Sequence, residues 1–272
     1  MTDTSTKKFD HVVSFGCSLA YGDELINRNK RYSKIIADSI GAKLVDHSVV
    51  SLSNEIISQN VINHLLANKH KGDPSRTLVI VEWSFASRLN ICGKNNRYYV
   101  IAHYNINTSN RKLKLEFGHK HVFFNDDFDD LMDVKFFYDT HTNLTYMMYN
   151  LTKCIHHAQT FLKNKGYNYV FLFGGDNEKE MITSVERFNL LGLNENDYLD
   201  CYPYFRYMLE DIDTSLICPT AFVNYARSNK FKFGPFEHPL EDGHIAYSGE
   251  VMKFIESKYG QQTLRGSKSG VS

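Results

Sequence analysis

The stretch FGCSLAYGDE, residues 15–24, sets a serine directly after an apolar run and inside a turn bounded by glycines. Gly16 lies two residues before Ser18 and Gly22 four after it. They let the backbone turn sharply, which would expose the serine Oγ and leave its N–H open. Such a serine can be a nucleophile, but the same residue also makes an ordinary helix N-cap, and this stretch alone supports both readings. A hydroxyl is inert without a base. Bases are offered by GPFEHPLEDGHIAYSGE, residues 234–250, which holds His238 and His244. Pro239 biases His238 toward an extended backbone, a suitable way to aim an imidazole at a strand end. His244 follows Asp242 and Gly243 at the start of the last helix, where the positive end of the dipole favours the neutral ring. Electrostatics therefore leaves both histidines open as the base. His238, His244 and Asp242, with GGDN at 174–177, are also metal-ligating types, but their spacing matches no ligand pattern.

The elements that must position these residues follow from periodicity. HVVSF (11–15) reads as a strand and 31–41 as a helix stopped by Gly41. Residues 42–50 read as a second strand, 53–69 as a helix opened by Ser53, and RTLVIVEW (76–83) as a third strand. Strands alternating with helices imply parallel pairing through right-handed crossovers, with helices on both faces of the sheet. In such sheets ligands gather at the carboxyl ends of the strands. Ser18, the segment 51–54 and Trp83 all lie just past strand ends. From about 90 to 130 the chain is rich in Asn, Lys, His and aromatics and reads as an insertion, with a small hairpin from NRYYVIAHYNI (96–106) and KLKLEFGHKHVFF (112–124). The acidic run NDDFDD (125–130) lacks the spacing of a calcium loop and reads as carboxylates at the start of a helix. That helix carries Leu144, Met147, Leu151, Ile155, Ala158 and Leu162 on one face and stops at Gly166. A fourth strand at 167–175 and a final helix at 250–259 follow, then a tail, 261–272, that reads as disordered. Residues 1–260 are read as one α/β domain.

Composition bounds the function. Lys and Arg (31) balance Asp and Glu (31), so no global field draws the chain to nucleic acid or an anionic membrane, and neither is expected as a partner. Five scattered cysteines without CxxC spacing read as reduced core thiols. With no apolar leader and no long apolar run, the expected location is the cytoplasm.

Taken together, the serine turn and the histidine loop resemble the SGNH, or GDSL-like, hydrolase family. Gly16-Cys17-Ser18-Leu19 with Gly22 is similar to its nucleophile block, with Cys17 where aspartate is common. The following Gly22-Asp23-Glu24-Leu25 looks like variants common in bacteriophage and environmental genomes, which would place the protein in the host cell. SVVSLSNEI (48–56) resembles the second block, with Ser51 at the glycine position and Ser53-Asn54 kept. EWSFASR (82–88) resembles the phage-like third block through Trp83, Ser84 and Arg88 and carries no asparagine. His238, Pro239, Gly243 and His244 are similar to the last block, with Pro235 where the family has its aspartate.

The resemblance implies a flavodoxin-like three-layer α/β/α fold and a hydrolase of esters or acetyl groups, acting on a small-molecule or glycan ester with no metal or organic cofactor. Ser18 would attack and His238 would shuttle the proton. The Ser18 N–H, the backbone near Ser51 and the Asn54 side chain would hold the oxyanion. Trp83 and Arg88 would face substrate, and His244 would support the loop. The acid that orients His238 is open among Glu237, Glu241, Asp242 and a backbone carbonyl, and a Ser–His dyad is the further option. A binding or virion protein that kept the fold without the chemistry is the alternative function.

Overall fold

The computed structural model describes residues 9–68, 70–92, 98–101, 144–183 and 203–260. The acidic run 125–130, the second half of the expected hairpin and the tail lie outside them. Four strands, β1 (His11–Phe15), β2 (Lys43–Asp46), β3 (Thr77–Trp83) and β6 (Asn168–Phe173), form a wholly parallel sheet in the order β2-β1-β3-β6. A parallel bridge from Phe171 to Ile217 marks a fifth position beyond β6. β3 is central and covered on both faces, which is why all seven residues of TLVIVEW are buried and mostly apolar.

Helices α1 (Ser18–Tyr21), α2 (Tyr32–Ser39) and α3 (Asn54–Leu66) alternate with the first three strands. α4 (Leu144–Lys165), α5 (Asp176–Thr183), α6 (Pro203–Asp211), α7 (Phe222–Ser228) and α8 (Glu241–Tyr259) follow. On one face Tyr32 of α2 packs against Phe222 of α7 and against His244 and Tyr247 of α8. On the other, Ser58 of α3 donates to the Cys154 carbonyl of α4, and α4 holds α6 through Gln159 and the Asp211 carbonyl. The result is the expected α/β/α arrangement. α3 begins where Ser53 caps it, its Oγ accepting from Ile56 N–H.

Two expectations change. The second strand ends at Asp46, although the His47 and Val49 N–H groups still donate to the Ser14 and Gly16 carbonyls, at 2.8 and 3.1 Å, as the chain runs on beside the serine turn. Residues Tyr98–Ile101 (β5), in the first half of the expected hairpin, pair antiparallel with Leu89–Cys92 (β4). The final helix also begins nine residues before 250, at Glu241.

Candidate active site

The serine turn is built at the carboxyl end of β1. Gly16 is required there, because a Cβ would lie 2.6 Å from Ala20 Cβ and 3.0 Å from Glu82 Cβ, so only glycine lets the chain cross this close above β3. Ser18 is then the first residue of α1, and its N–H, as a first-turn amide, has no intrahelical acceptor. Past α1, Gly22 takes the left-handed conformation (φ 74°), and Asp23 N–H returns to the Ser18 carbonyl. Glu24 is also left-handed, at φ 64°, a strained choice for a residue with a side chain. This doubling back sets the Glu24 carboxylate beside the nucleophile.

His238 arrives from the other end of the chain. Its loop is a tight hairpin closed by Gly234 N–H to the His238 carbonyl, by Leu240 N–H to Lys232, and by a Phe233–Pro239 bridge. Nε2 of His238 lies 2.8 Å from Ser18 Oγ, and Nδ1 lies 2.9 Å from Glu24 Oε2. Glu24 also accepts the main-chain N–H of Phe236 (2.9 Å) and of His238 (3.2 Å). Burial alone would raise its pKa. The Phe236 N–H, the two His238 hydrogen bonds and the His238 charge outweigh burial and hold the carboxyl below its ordinary value. Gly234 makes room for it: a Cβ there would meet Glu24 Oε1 at 2.4 Å. The acid at the imidazole is therefore Glu24. Glu237 pairs instead with Arg227 at 3.1 Å. Glu241 accepts the N–H groups of Ile26 and Asn27, which ties the last helix to the loop after α1, and Asp242 is exposed.

His244 is fully buried and its Nδ1 accepts from Tyr32 N–H at 3.3 Å. Burial, then the charges of His238 and Arg31, lower its pKa to about 3, so it stays neutral and serves packing rather than proton transfer. Both His238 nitrogens are engaged, by Ser18 and Glu24, and His244 Nδ1 is engaged by Tyr32 N–H. No cluster of three ligand-type side chains occurs among the described residues.

Two further residues stand elsewhere than expected. The Asn54 amide is spent on the loop after β3: Oδ1 accepts Ser84 N–H at 2.8 Å, and Nδ2 donates to the Ser84 and Phe85 carbonyls at 3.2 Å each. It cannot also donate to an oxyanion, and instead fixes the loop that carries Phe85 and Arg88. Trp83 is fully buried against Phe171, 5.6 Å between rings, so it belongs to the core. Ser51 is left-handed (φ 62°), a conformation that glycine adopts at less cost than a residue with a side chain. Arg88 does reach the site. It lines an open cleft of about 370 Å³ together with Ser18, His238, Phe85, Asp176 and Arg227.

Below the nucleophile lies Glu82, a fully buried carboxylate of β3. It accepts from Tyr32 Oη at 2.8 Å and faces Cys17 Sγ at 3.8 Å. Burial pushes its pKa up to about 7 against the hydrogen bonds from Tyr32, Ala20 N–H and Cys17. It braces the turn that presents Ser18.

A serine, a histidine and a carboxylate in line at hydrogen-bond distance, at the carboxyl end of a parallel sheet, define the nucleophile–base–acid class of site. No family model matches the sequence, and no curated protein matches it. Solved structures similar to the chain include a member of the lipolytic protein G-D-S-L family from Veillonella parvula DSM 2008 (12% identity, 89% of this chain and 96% of that one, TM-score 0.41). Another is the psychrotrophic esterase EstA from Pseudoalteromonas sp. (11%, 93% and 100%, TM-score 0.45). A third is the acetyl xylan esterase Est2A from the rumen bacterium Butyrivibrio proteoclasticus (11%, 92% and 64%, TM-score 0.45). What the site can do follows from its own atoms.

Proposed function

We propose that the protein is a serine ester hydrolase whose triad is Ser18, His238 and Glu24. The observation that carries this reading is the unbroken line from Ser18 Oγ to His238 Nε2 (2.8 Å) and from Nδ1 to Glu24 (2.9 Å). In this reading Oγ attacks the ester carbonyl as its proton passes to Nε2, while Glu24 holds Nδ1–H and offsets the imidazolium charge. The Ser18 N–H donates to the developing oxyanion, with the backbone near Ser51 as the second donor. Collapse breaks the bond to the alcohol oxygen, which takes the proton from Nε2. Water then attacks the acyl-serine by the same relay and releases the acid. Acyl esters and O-acetylated carbohydrates are the substrate classes, and the cytoplasm is the proposed location. Among the described residues no helix is long and apolar enough to cross a membrane.

The test pairs turnover of p-nitrophenyl acetate with covalent labelling by a fluorophosphonate. Wild type should hydrolyse the ester and gain one adduct, mapped by mass spectrometry to Ser18. Ser18→Ala should lose both, with turnover falling by about a millionfold or to background, while stability changes by about 1 kcal/mol. Wild type that neither turns over any ester nor takes the label would leave a binding protein on this fold as the correct description.

A further inference from the structure

We propose that the cleft selects esters carrying a carboxylate, and that Arg88 is the residue that selects them. This deepens the esterase reading and rests on it. Four charged side chains line the cleft beside Ser18 and His238: Arg88, Asp176, Arg227 and Glu237. Three have partners within the chain. Arg227 pairs with Glu237 at 3.1 Å, and Asp176 with Lys179 at 2.9 Å. Arg88 is left over. Its Nη1 is buried and takes no acceptor among the described residues. The nearby carboxylate does not serve: Glu82 feels the guanidinium charge, but its oxygens are turned to Tyr32 and Cys17.

The arginine is held rather than loose. Its main-chain N–H donates to the Phe85 carbonyl at 3.0 Å, its guanidinium lies 5.8 Å from the Phe85 ring centre, and Asn54 clamps that same loop through the Ser84 and Phe85 carbonyls. Arg88 borders the cleft with a guanidinium whose donors are not all spent within the protein, and a planar fork of N–H groups suits a carboxylate's two oxygens. Engaging that fork in the bound complex favours a carboxylate ester over its neutral twin by roughly ten- to a hundredfold, the usual worth of a charge-assisted hydrogen bond.

Two matched pairs locate the anion. Mono-p-nitrophenyl succinate against p-nitrophenyl methyl succinate puts it on the acyl side, and para-acetoxybenzoate against para-acetoxybenzamide puts it on the alcohol side. Wild type should prefer the charged member of one pair by about tenfold or more in kcat/KM. The preference should lie in KM, shrink as salt is raised, collapse to about twofold or less in Arg88→Met, and survive in part in Arg88→Lys. Wild type without preference in either pair, or a preference that persists in Arg88→Met, overturns the proposal. A Ser18→Ala arm separates it from the esterase reading: calorimetry with monomethyl succinate and with dimethyl succinate reads binding without turnover. Selective binding of the monoanion lost in Ser18→Ala/Arg88→Met supports the anion site even if no ester is hydrolysed. Equal binding of the two probes refutes it even if esters are.

Discussion

Glu24→Gln replaces one oxygen of the carboxylate by NH2 and leaves the shape of the side chain. The structure fixes the cost. Oε2 faces two donors, the main-chain N–H and Nδ1 of His238, and Oε1 faces one, the N–H of Phe236. Glutamine keeps its oxygen toward the two donors and turns its NH2 to Phe236, where a donor meets a donor. One unsatisfied N–H costs about 1–3 kcal/mol of stability. Catalysis suffers more, because the imidazolium formed as Ser18 attacks loses the adjacent negative charge. An amide in place of the orienting acid lowers kcat by on the order of ten-thousandfold in the trypsin triad, about 5.5 kcal/mol at 1.36 kcal/mol per tenfold. The assay is kcat on p-nitrophenyl acetate beside urea unfolding, with Asp23→Asn as the comparison. Asp23 Oδ2 is 3.9 Å from Nδ1, too far for a hydrogen bond, so that variant should lose less than about tenfold. If Glu24→Gln stays within tenfold of wild type while Asp23→Asn falls by a thousandfold, Glu24 is not the orienting acid.

Two other outcomes follow from the same geometry. Gly234→Ala should lower kcat by about a hundredfold while leaving every chemical group in place, because the new Cβ displaces the Glu24 carboxylate it would meet at 2.4 Å; unchanged kcat would mean the acid has room to spare. Stability should depend on pH in two opposed ways, read as Tm across a pH series. His244, lowered to about 3, contributes stability that is full above its unfolded value near 6.5 and is lost as pH falls toward 3. Glu82, raised to about 7, contributes stability that is full below about 4.5 and is lost as pH rises to 7, on the order of 3 kcal/mol in all. Glu82→Gln should therefore remove the decline between pH 4.5 and 7, and a decline of wild-type size in that variant would place its origin elsewhere.

The strands of the sheet were legible because burial on both faces demands continuous apolar runs, and HVVSF, TLVIVEW and NYVFLF are such runs. β4 was not, since Leu89–Cys92 acquires its strand character only by pairing with β5. Ser18 and His238 stood out by residue type, one beside a glycine turn and one before a proline. Asn54 and Trp83 have types that suit a site, yet their places are decided by packing: one amide is spent on a neighbouring loop, and one indole lies inside the core. Glu82 was a visible anomaly, a lone carboxylate in an otherwise apolar central strand, but its partners Tyr32 and Cys17 are tertiary facts.

The acid is the instructive case. The resemblance points to the segment just before His238, where Pro235 stands, and every carboxylate near that segment turns out to be engaged elsewhere or exposed. Glu24 lies 214 positions away in the chain from His238. It was signalled only by following Gly22, a residue that allows the reversal bringing it back beside Ser18. Once there it does two jobs with one group. By accepting the Phe236 and His238 N–H groups it holds the histidine loop, and by accepting Nδ1 it orients the ring within that loop. Nucleophile and acid thus ride on a single turn braced from beneath by Glu82, so the geometry of the relay depends on how one loop docks rather than on two. The left-handed backbone at Glu24 is a local cost of that arrangement. Three hydrogen bonds to an ionised carboxylate, each stronger than a neutral pair, are what offset it.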